Sequence, residues 1–407
     1  MSEYMEKIKG GVCSAKGFQA AGVHCGIRKN RSKRDLALIV SDRPASAAAV
    51  YTTNLVKGAP LEVTRKNLAD GKAQAIICNS GNANTCNADG IEIAEKMCEL
   101  TAAGLKINAQ DVIVASTGVI GQPLDIAPIA AGMAGLIDSL GADCQNAAEA
   151  IMTTDTKMKS VAVAFDLDGV RCHLGGIAKG SGMTHPNMAT MLAFLTTDAA
   201  VSPALLSKAL KDCVDGTFNM ISIDGDTSTN DMVCLLANGA AGNPEITSEG
   251  KAYDRFCEAL SLLATDLCRQ IAADGEGATK LLECTVSGGA SLQAARKVAR
   301  SIISSTLLKS AMFGSDANWG RVLCAIGYSG AEVDVTKIDV AFETSVGHLP
   351  VCKNGAGIDF SEEDAKRILS EDEIRILIDL NMGTEQAVAW GCDLTYDYVR
   401  INGDYRT

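Results

Sequence analysis

Short apolar segments typical of β-strands alternate with helical segments along the whole of this chain. Residues 111–116 (DVIVAS) form one continuous apolar run, whereas residues 90–106 place their apolar side chains on one side of a helix. Residues 161–165 and 170–174 flank Asp-Leu-Asp-Gly, a turn sequence that predicts a hairpin. Because both kinds of element recur from one end to the other, the sequence predicts an α/β protein with mixed α+β layers.

Apolar spacing and capping residues place the individual elements. Serine often caps the start of a helix, and Ser202 and Ser361 are candidates for that position; Pro203, directly after Ser202, fits the first turn of a helix. The predicted helices are residues 90–106, 125–140, 142–152, 202–214, 252–273, 294–312 and 362–369. The predicted strands are residues 111–116, 161–165, 170–174, 219–223, 231–236, 280–286, 374–380 and 390–398.

The pattern restarts with a helix after Gly288-Gly289. This predicts a soft domain boundary near residues 283–290. We therefore expect two domains, residues 1–285 and a smaller α/β domain of residues 286–407.

Charge and composition argue against several classes of protein. The chain has 37 basic and 49 acidic residues, a net charge of −12, so we expect neither nucleic acid nor an anionic membrane as a partner. The first eleven residues lack the apolar core of a signal peptide, and the longest uncharged stretch, residues 180–197, is too polar to span a membrane. Fifteen cysteines without a CxxC pair fit a reducing compartment. We expect a cytoplasmic protein.

Several common catalytic motifs are missing from the sequence. It contains no P-loop and no GxSxG, and its four histidines are far apart and form no HExxH. The acidic segment from Asp224 to Ser228 loosely resembles a calcium loop, but Thr229 and Leu235 stand where an EF-hand needs Gly and Glu. We therefore predict no metal site.

The most informative stretch is KGSGMTHPNMATML, residues 179–192. Its Gly, Pro and Asn residues predict a loop, uncharged apart from Lys179, that leads into an apolar run at residues 191–195. One interpretation is an ordinary turn before a core element. The other is self-cleavage, in which the hydroxyl of Thr190 attacks the preceding carbonyl and hydrolysis of the ester leaves Thr190 as a new amino terminus. Its α-amine, with a pKa of about 7.7–8.0, could then take the proton of its own hydroxyl.

That stretch closely resembles the self-processing signature of the ornithine acetyltransferase family, also called the bifunctional glutamate N-acetyltransferase family. The resemblance extends over nearly the whole chain. Further matching segments are Asn79-Ser80-Gly81-Asn82-Ala83-Asn84, Ser116-Thr117-Gly118-Val119-Ile120-Gly121, Thr153-Thr154-Asp155-Thr156, Asp226-Thr227-Ser228-Thr229-Asn230-Asp231, Asn318-Trp319-Gly320-Arg321 and Ile401-Asn402-Gly403. Two positions depart from the family pattern, Thr184 and Ala317.

The resemblance implies a self-processing, N-terminal-nucleophile-like acyltransferase with the ornithine acetyltransferase fold. The scissile bond would join Ala189 to Thr190 in the catalytic domain 1–285, giving fragments 1–189 and 190–407 that assemble as two alpha and two beta chains. Thr190 would then carry the acetyl group in a ping-pong reaction from N2-acetyl-ornithine to glutamate, within arginine biosynthesis. No cofactor is implied; acetyl-CoA is a candidate second donor, because some members of the family use it.

The resemblance also assigns the site. Thr117 and Gly118 would form the oxyanion hole that a tetrahedral intermediate requires. The implied substrate contacts are Thr153, Lys179, Thr190, Glu276, Asn402 and Thr407. Lys179 is the natural partner for a substrate carboxylate, and Glu276 for an amino group.

Two other functions stay open from the sequence. A self-cleaving amidohydrolase or aminopeptidase would use the same Thr190 but let water reach the acyl-enzyme. A small-molecule-binding protein could keep the fold without ever being cleaved.

Overall fold

A computed structural model of the chain describes residues 4–185 and 191–403, in which eleven helices and sixteen strands form mixed α/β layers, as predicted. The helices are α1 (Ala59–Asn67), α2 (Gly90–Leu105), α3 (Ile126–Asp138), α4 (Gln145–Ala150), α5 (Pro203–Gly216), α6 (Lys251–Ala273), α7 (Leu292–Ser304), α8 (Thr306–Phe313), α9 (Trp319–Gly327), α10 (Glu362–Leu369) and α11 (Tyr396–Gly403). The strands are β1 (Met5–Ile8), β2 (Phe18–Val23), β3 (Leu36–Tyr51), β4 (Lys72–Asn82), β5 (Val112–Val119), β6 (Lys159–Leu167), β7 (Val170–Lys179), β8 (Leu192–Thr197), β9 (Ile221–Ser222), β10 (Met232–Ala237), β11 (Leu281–Gly289), β12 (Asp339–Thr344), β13 (Gly347–Lys353), β14 (Ala356–Gly357), β15 (Glu373–Asp379) and β16 (Glu385–Cys392).

A nine-stranded sheet forms the larger part of the fold. Its strand order is β1-β6-β7-β8-β10-β3-β4-β5, and β2 pairs with the first half of β3. The pairs β8–β10 and β4–β5 are parallel, with Leu192 opposite Met232 and Gly81 opposite Gly118. The strand that follows residue 190 therefore lies in the interior of the sheet.

A seven-stranded sheet has the order β14-β13-β12-β15-β11-β16-β9. Residue 285 lies inside β11, and β9 joins this sheet from an earlier part of the chain. The two sheets therefore do not divide the chain at residue 285.

The two sheets share one apolar core. Leu195 of β8, Leu263 of α6 and Ala389 of β16 are all fully buried members of the same cluster. Helix α6 has a long apolar face, and it packs against β6 and β7 of the first sheet and β11 and β16 of the second. Burial of that face by both sheets positions the loops at their edges.

Capping explains where several helices begin and end. The Ser361 hydroxyl accepts from the backbone N–H of Asp364, which confirms the predicted start of α10. The single helix predicted over residues 294–312 is wrong, because Ser305 has an extended backbone (φ −70°, ψ 108°) and caps α8 instead of continuing α7. The helix predicted over residues 142–152 is shorter, Gln145–Ala150.

Two strand predictions also need correction. The strand predicted over residues 390–398 ends at Cys392, because the carboxylate of Asp393 accepts from the backbone N–H groups of Thr279 and Lys280 and turns the chain. Helix α11 follows. The strand predicted over residues 219–223 is shorter, Ile221–Ser222, because its first two residues belong to a 3-10 turn, Phe218–Met220.

None of the helices in residues 4–185 and 191–403 combines the length and apolar character that crossing a membrane requires.

Candidate active site

A pocket of about 130 Å³ lies where β5 and β7 end. Six residues that the sequence assigned to the site line it together: Thr117, Gly118, Thr153, Lys179, Glu276 and Asn402. The other three, Ala189, Thr190 and Thr407, lie outside the described residues. The structure thus brings together side chains that are up to 285 residues apart in sequence (402 − 117).

The segment predicted to form the oxyanion hole requires glycine at its second position. Gly118 has φ +134°, and a Cβ atom there would lie 2.3 Å from the carbonyl carbon of Gly81 and 2.5 Å from the nitrogen of Asn82. Both contacts are with backbone atoms, which cannot move aside as a flexible side chain can. Gly118 therefore lets β5 approach the end of β4 closely at the pocket wall.

Lys179 is a buried cation at the last position of β7. Its residue is 8% exposed, and its ammonium group has no hydrogen-bond or ion-pair partner among the residues that the structure describes. Because Lys179 lines the pocket, a carboxylate that enters the pocket would meet this cation.

A buried ion cluster lies behind Lys179. Lys159 donates to Asp155 (2.7 Å) and to Asp274 (2.6 Å), and the side chains of all three are almost completely buried. Burial opposes ionisation of Asp155, but the nearby charges of Lys179 and Lys159 outweigh it and hold the pKa of that carboxyl well below its usual range. Asp155 also accepts from the N–H of Gly180, so the cluster fixes the chain immediately after Lys179.

Glu276 contacts both the loop that follows β7 and the last described helix. Its backbone N–H donates to the carbonyl of Ser181 (2.8 Å), and its Oε2 accepts from Nδ2 of Asn402 (2.7 Å). A Cβ atom at Gly182 would lie 2.4 Å from the Glu276 carboxyl carbon. Glycine at 182 therefore allows the carboxylate to lie against the loop.

The loop residues before residue 186 are fixed by Asp224. Its two carboxylate oxygens accept from the backbone N–H groups of Met183 (2.5 Å) and Thr184 (2.8 Å). The carbonyl of Thr184 accepts from the N–H of Ile223 (2.6 Å). The Thr184 hydroxyl donates to the carbonyl of Gly182 (3.1 Å), so this departure from the family pattern makes a local contact.

His185 is held in the same region by polar groups from two elements, β9 and α7. Its Nδ1 lies 3.0 Å from Oγ of Ser222 and 3.4 Å from Oγ of Ser304, and its Nε2 lies 3.1 Å from a guanidinium nitrogen of Arg300. Burial and the charge of Arg300 lower the pKa of His185 below its usual value, while Asp224 acts in the opposite direction. A neutral ring that accepts at Nε2 and donates from Nδ1 fits this arrangement.

The chain is equally well fixed on the other side of segment 186–190. Met191 is buried, and its carbonyl accepts from the N–H of Met232 (3.0 Å) immediately before the parallel pairing of β8 with β10 begins. The residues on both sides of the segment that contains the predicted scissile bond, His185 and Met191, are therefore fixed by contacts with the rest of the protein.

Comparison with known proteins identifies the family. A sequence model of the ArgJ family matches residues 19–407. The chain belongs to the ArgJ family. It is 50% identical over 392 residues to the arginine biosynthesis bifunctional protein ArgJ 1 of Clostridium acetobutylicum, with 96% of each chain covered. It is 51% identical over 409 residues to the arginine biosynthesis bifunctional protein ArgJ of Symbiobacterium thermophilum, covering 99% of this chain and 100% of that one.

A solved ArgJ structure supports the fold. The crystal structure of the arginine biosynthesis bifunctional protein ArgJ from Bacillus halodurans is 49% identical, with a TM-score of 0.51, and the match covers 53% of this chain and 100% of that chain. The family predicted from the sequence motifs is thus confirmed.

Several residues that build the site in this ArgJ-family chain were missed in the sequence. Asp274 is 115 positions from Lys159 (274 − 159), so no local pattern links it to the pair that Lys159 forms with Asp155. Asp224, considered only for a calcium loop, binds backbone N–H groups instead. Among the described residues, no group of three or more His, Cys, Asp or Glu side chains is arranged to hold a metal ion.

Proposed function

We propose that this chain transfers an acetyl group from N2-acetyl-ornithine to glutamate through an acetyl ester on Thr190, in arginine biosynthesis. The observation that carries the proposal is the pocket in which Lys179, whose ammonium group makes no hydrogen bond or ion pair with the described residues, lies with the predicted oxyanion segment Thr117–Gly118 and the acidic Glu276. The names of the ArgJ relatives, which place them in arginine biosynthesis, support the same assignment.

The charges in the pocket match the two substrates. Acetyl-ornithine and glutamate both carry an α-carboxylate, for which the ammonium group of Lys179 is a suitable partner. The released ornithine carries amino groups, and Glu276 offers a carboxylate that Asn402 already orients. A pocket with one cation and one carboxylate therefore suits an α-amino-acid substrate better than an uncharged one.

The chemistry requires an activated hydroxyl and a place for negative charge. Self-cleavage between Ala189 and Thr190 would free the α-amine of Thr190, which then removes the proton from its own hydroxyl. The hydroxyl oxygen attacks the acetyl carbonyl of acetyl-ornithine, and Thr117 and Gly118 stabilise the oxyanion that forms. The protonated α-amine gives its proton to the ornithine nitrogen as the amide C–N bond breaks, and ornithine leaves an acetyl ester on Thr190. The amino group of glutamate then attacks that ester by the reverse steps, and the equilibrium is close to even because one amide replaces another.

The proposal extends to the protein's maturation and surroundings. Fragments 1–189 and 190–407 would assemble as two alpha and two beta chains, without a cofactor, and acetyl-CoA is a candidate second acetyl donor. Fifteen free cysteines support a reducing compartment, so we place the reaction in the cytoplasm. Neither nucleic acid nor a membrane takes part in it.

One experiment tests the transfer directly. The purified protein is incubated with N2-acetyl-ornithine, with and without glutamate, and both ornithine and N-acetyl-glutamate are measured. Without glutamate, we expect the release of ornithine to stop at about one equivalent per cleaved chain. Release of more ornithine should require glutamate. Release that ignores glutamate would show instead that the protein is a hydrolase.

Intact mass of the same preparation tests the maturation. We expect two fragments that meet at Ala189 and Thr190, and an uncut, inactive Thr190→Ala protein. A single uncut wild-type chain of 42.4 kDa that turns over acetyl-ornithine would contradict the mechanism. A single uncut chain that only binds it would favour the binding-protein alternative.

A further inference from the structure

Asn230 is a buried side chain at the wall of the pocket to which neither the sequence motifs nor the proposed mechanism assigns a role. It lines the pocket beside Thr117 and Gly118, and it is 6% exposed. It lies two residues before Met232, the first residue of β10, which pairs with Leu192, the first residue of β8. Asn230 thus lies between β10, which pairs with the strand that follows residue 190, and the segment Thr117–Gly118 of β5.

The side-chain amide of Asn230 joins two separate strand ends. Its Nδ2 donates to the carbonyl of Ser116 (3.0 Å), within β5, and to the carbonyl of Ala83 (2.5 Å), just after β4. Both hydrogen atoms of the amide are therefore used on backbone carbonyls. The two carbonyls belong to the segments whose close approach also requires glycine at position 118.

The orientation of this amide is fixed from its other side. Its Oδ1 accepts from the hydroxyls of Thr85 (2.5 Å) and Thr229 (2.6 Å). An amide with both donors and its acceptor satisfied in a buried site has one favourable orientation. Flipping it would place its NH₂ group against two hydroxyls and its oxygen against two carbonyls.

The bond to Ser116 acts on the predicted oxyanion hole through the peptide plane. The carbonyl of Ser116 and the N–H of Thr117 belong to one planar peptide unit. A hydrogen bond that fixes the carbonyl therefore also fixes the direction of the Thr117 N–H. Because stabilisation of an oxyanion depends on donors that are aimed in advance, a shift of about 1 Å can lower the rate by about 100-fold.

We propose that Asn230 is a positioning residue that holds Thr117 and Gly118 in register for the tetrahedral oxyanion by joining the carbonyls of Ser116 and Ala83. This inference rests on the proposed function. In this inference Asn230 acts through the two backbone segments that it joins.

The test replaces Asn230 with aspartate, which has nearly the same shape but presents only oxygen atoms to the two carbonyls. We expect kcat for acetyl transfer, measured per cleaved molecule, to fall about 100-fold while KM for acetyl-ornithine and for glutamate stays within about twofold. Because an unfolded fraction would also lower apparent kcat at unchanged KM, kcat is calculated from the concentration of folded, cleaved protein, which circular dichroism measures for each variant. The variant Thr85→Val, which leaves both donors of Asn230 in place and removes one hydroxyl from Oδ1, should lower kcat by less.

Asn243→Asp is the matched control. Asn243 is also 6% exposed and also uses its amide on backbone groups, with Nδ2 bonded to the carbonyl of Pro244 (2.8 Å) and Oδ1 bonded to the N–H of Ala200 (2.8 Å), but it does not line the pocket. We expect the control to keep wild-type kcat. Wild-type kcat in Asn230→Asp, or an equal loss of kcat in Asn243→Asp, would overturn the inference.

Self-cleavage supplies a second readout, because it also passes through a tetrahedral oxyanion. An Asn230→Asp chain that is folded but cleaved much more slowly than the Asn243→Asp chain would support the inference. If the wild-type protein is cleaved but transfers no acetyl group, the proposed function fails, and the comparison of cleavage rates still decides the role of Asn230. Equal cleavage rates in that case would overturn it.

Discussion

Nδ2 of Asn402 donates a 2.7 Å hydrogen bond to Oε2 of Glu276, which links the last described helix, α11, to the acidic side of the pocket. The donor comes from near the end of the chain, and the acceptor follows the long helix α6. This contact orients the carboxylate that the proposed function assigns to an amino group of the substrate.

Replacing Asn402 with alanine removes that donor. We expect KM for acetyl-ornithine to rise about fivefold with kcat within about twofold, because a single hydrogen bond contributes about 1 kcal/mol. Steady-state kinetics of the cleaved protein measure both constants. Arg400→Ala, on the same helix but with its side chain mostly in solvent, should behave as wild type. An equal rise in KM in both variants would mean that helix α11 as a whole, rather than this contact, is responsible.

The buried cluster around Lys159 should dominate the stability of this region. In Lys159→Met, the carboxylates of Asp155 and Asp274 lose their shared cation, and we expect the free energy of unfolding to fall by about 3–5 kcal/mol. Urea denaturation of the uncut Thr190→Ala background measures it. Lys66→Met breaks an exposed pair with Glu95 and should leave the unfolding curve unchanged. Equal unfolding curves for the two variants would show that the buried cluster contributes no more to the free energy of unfolding than the exposed pair does.

His185 should make stability depend on pH. Because its pKa in the folded protein lies below the unfolded value of about 6.5, its contribution is complete above pH 6.5 and declines as the pH falls through the folded pKa. Among the residues that the structure describes, Arg300, Ser222 and Ser304 face the ring, and the charge of Asp224 also acts on it.

The comparison is between the Thr190→Ala protein with and without His185→Gln. We expect the variant to be less stable at pH 7.5, since it loses the contacts of the ring, and the difference in unfolding free energy to become smaller at pH 5.5. Urea titrations at the two pH values give this difference. A gap that stays constant or widens on acidification would contradict the neutral ring.

Gly118 should tolerate no side chain. In Gly118→Ala, the new Cβ would meet backbone atoms of Gly81 and Asn82, and we expect acetyl transfer to fall by about 100-fold or more. Gly121→Ala is the control, because Gly121 also has a positive φ, +77°, but no atom lies within 4 Å of its Cβ position. Similar losses in both variants would attribute the effect to backbone strain alone rather than to the contact with β4.

Much of the fold could be predicted from local patterns. Helices α2 and α10 lie within a residue or two of the predicted bounds because each has regular apolar spacing, and α10 has a capping serine as well. The break at Ser305 was missed because the apolar spacing continues through it, while a side-chain cap competes with the helix. The alternation that continues from Trp390 to Tyr398 was misleading, since the turn at Cys392 is set by contacts of Asp393 with residues 279 and 280.

In the site, too, some residues could be predicted from the sequence and others could not. The family resemblance predicted Lys179, Glu276 and the Thr117–Gly118 pair as site residues, and all of them line one pocket. Their assigned roles, and that of Thr190, stay predictions until the variants are measured. The sequence assigned no supporting role to Asp274 or Asn230, because the groups that they hold, Lys159 and the carbonyl of Ser116, are more than a hundred positions away.

The strand order of the larger sheet has a consequence for a chain cut between residues 189 and 190. Strands β8 and β10, from the second piece, lie between β7 on one side and β3 on the other, both from the first piece. Neither piece can leave without breaking rows of backbone hydrogen bonds in the middle of a sheet. The cut protein should therefore run as one particle on a native gel and come apart into two bands only in detergent.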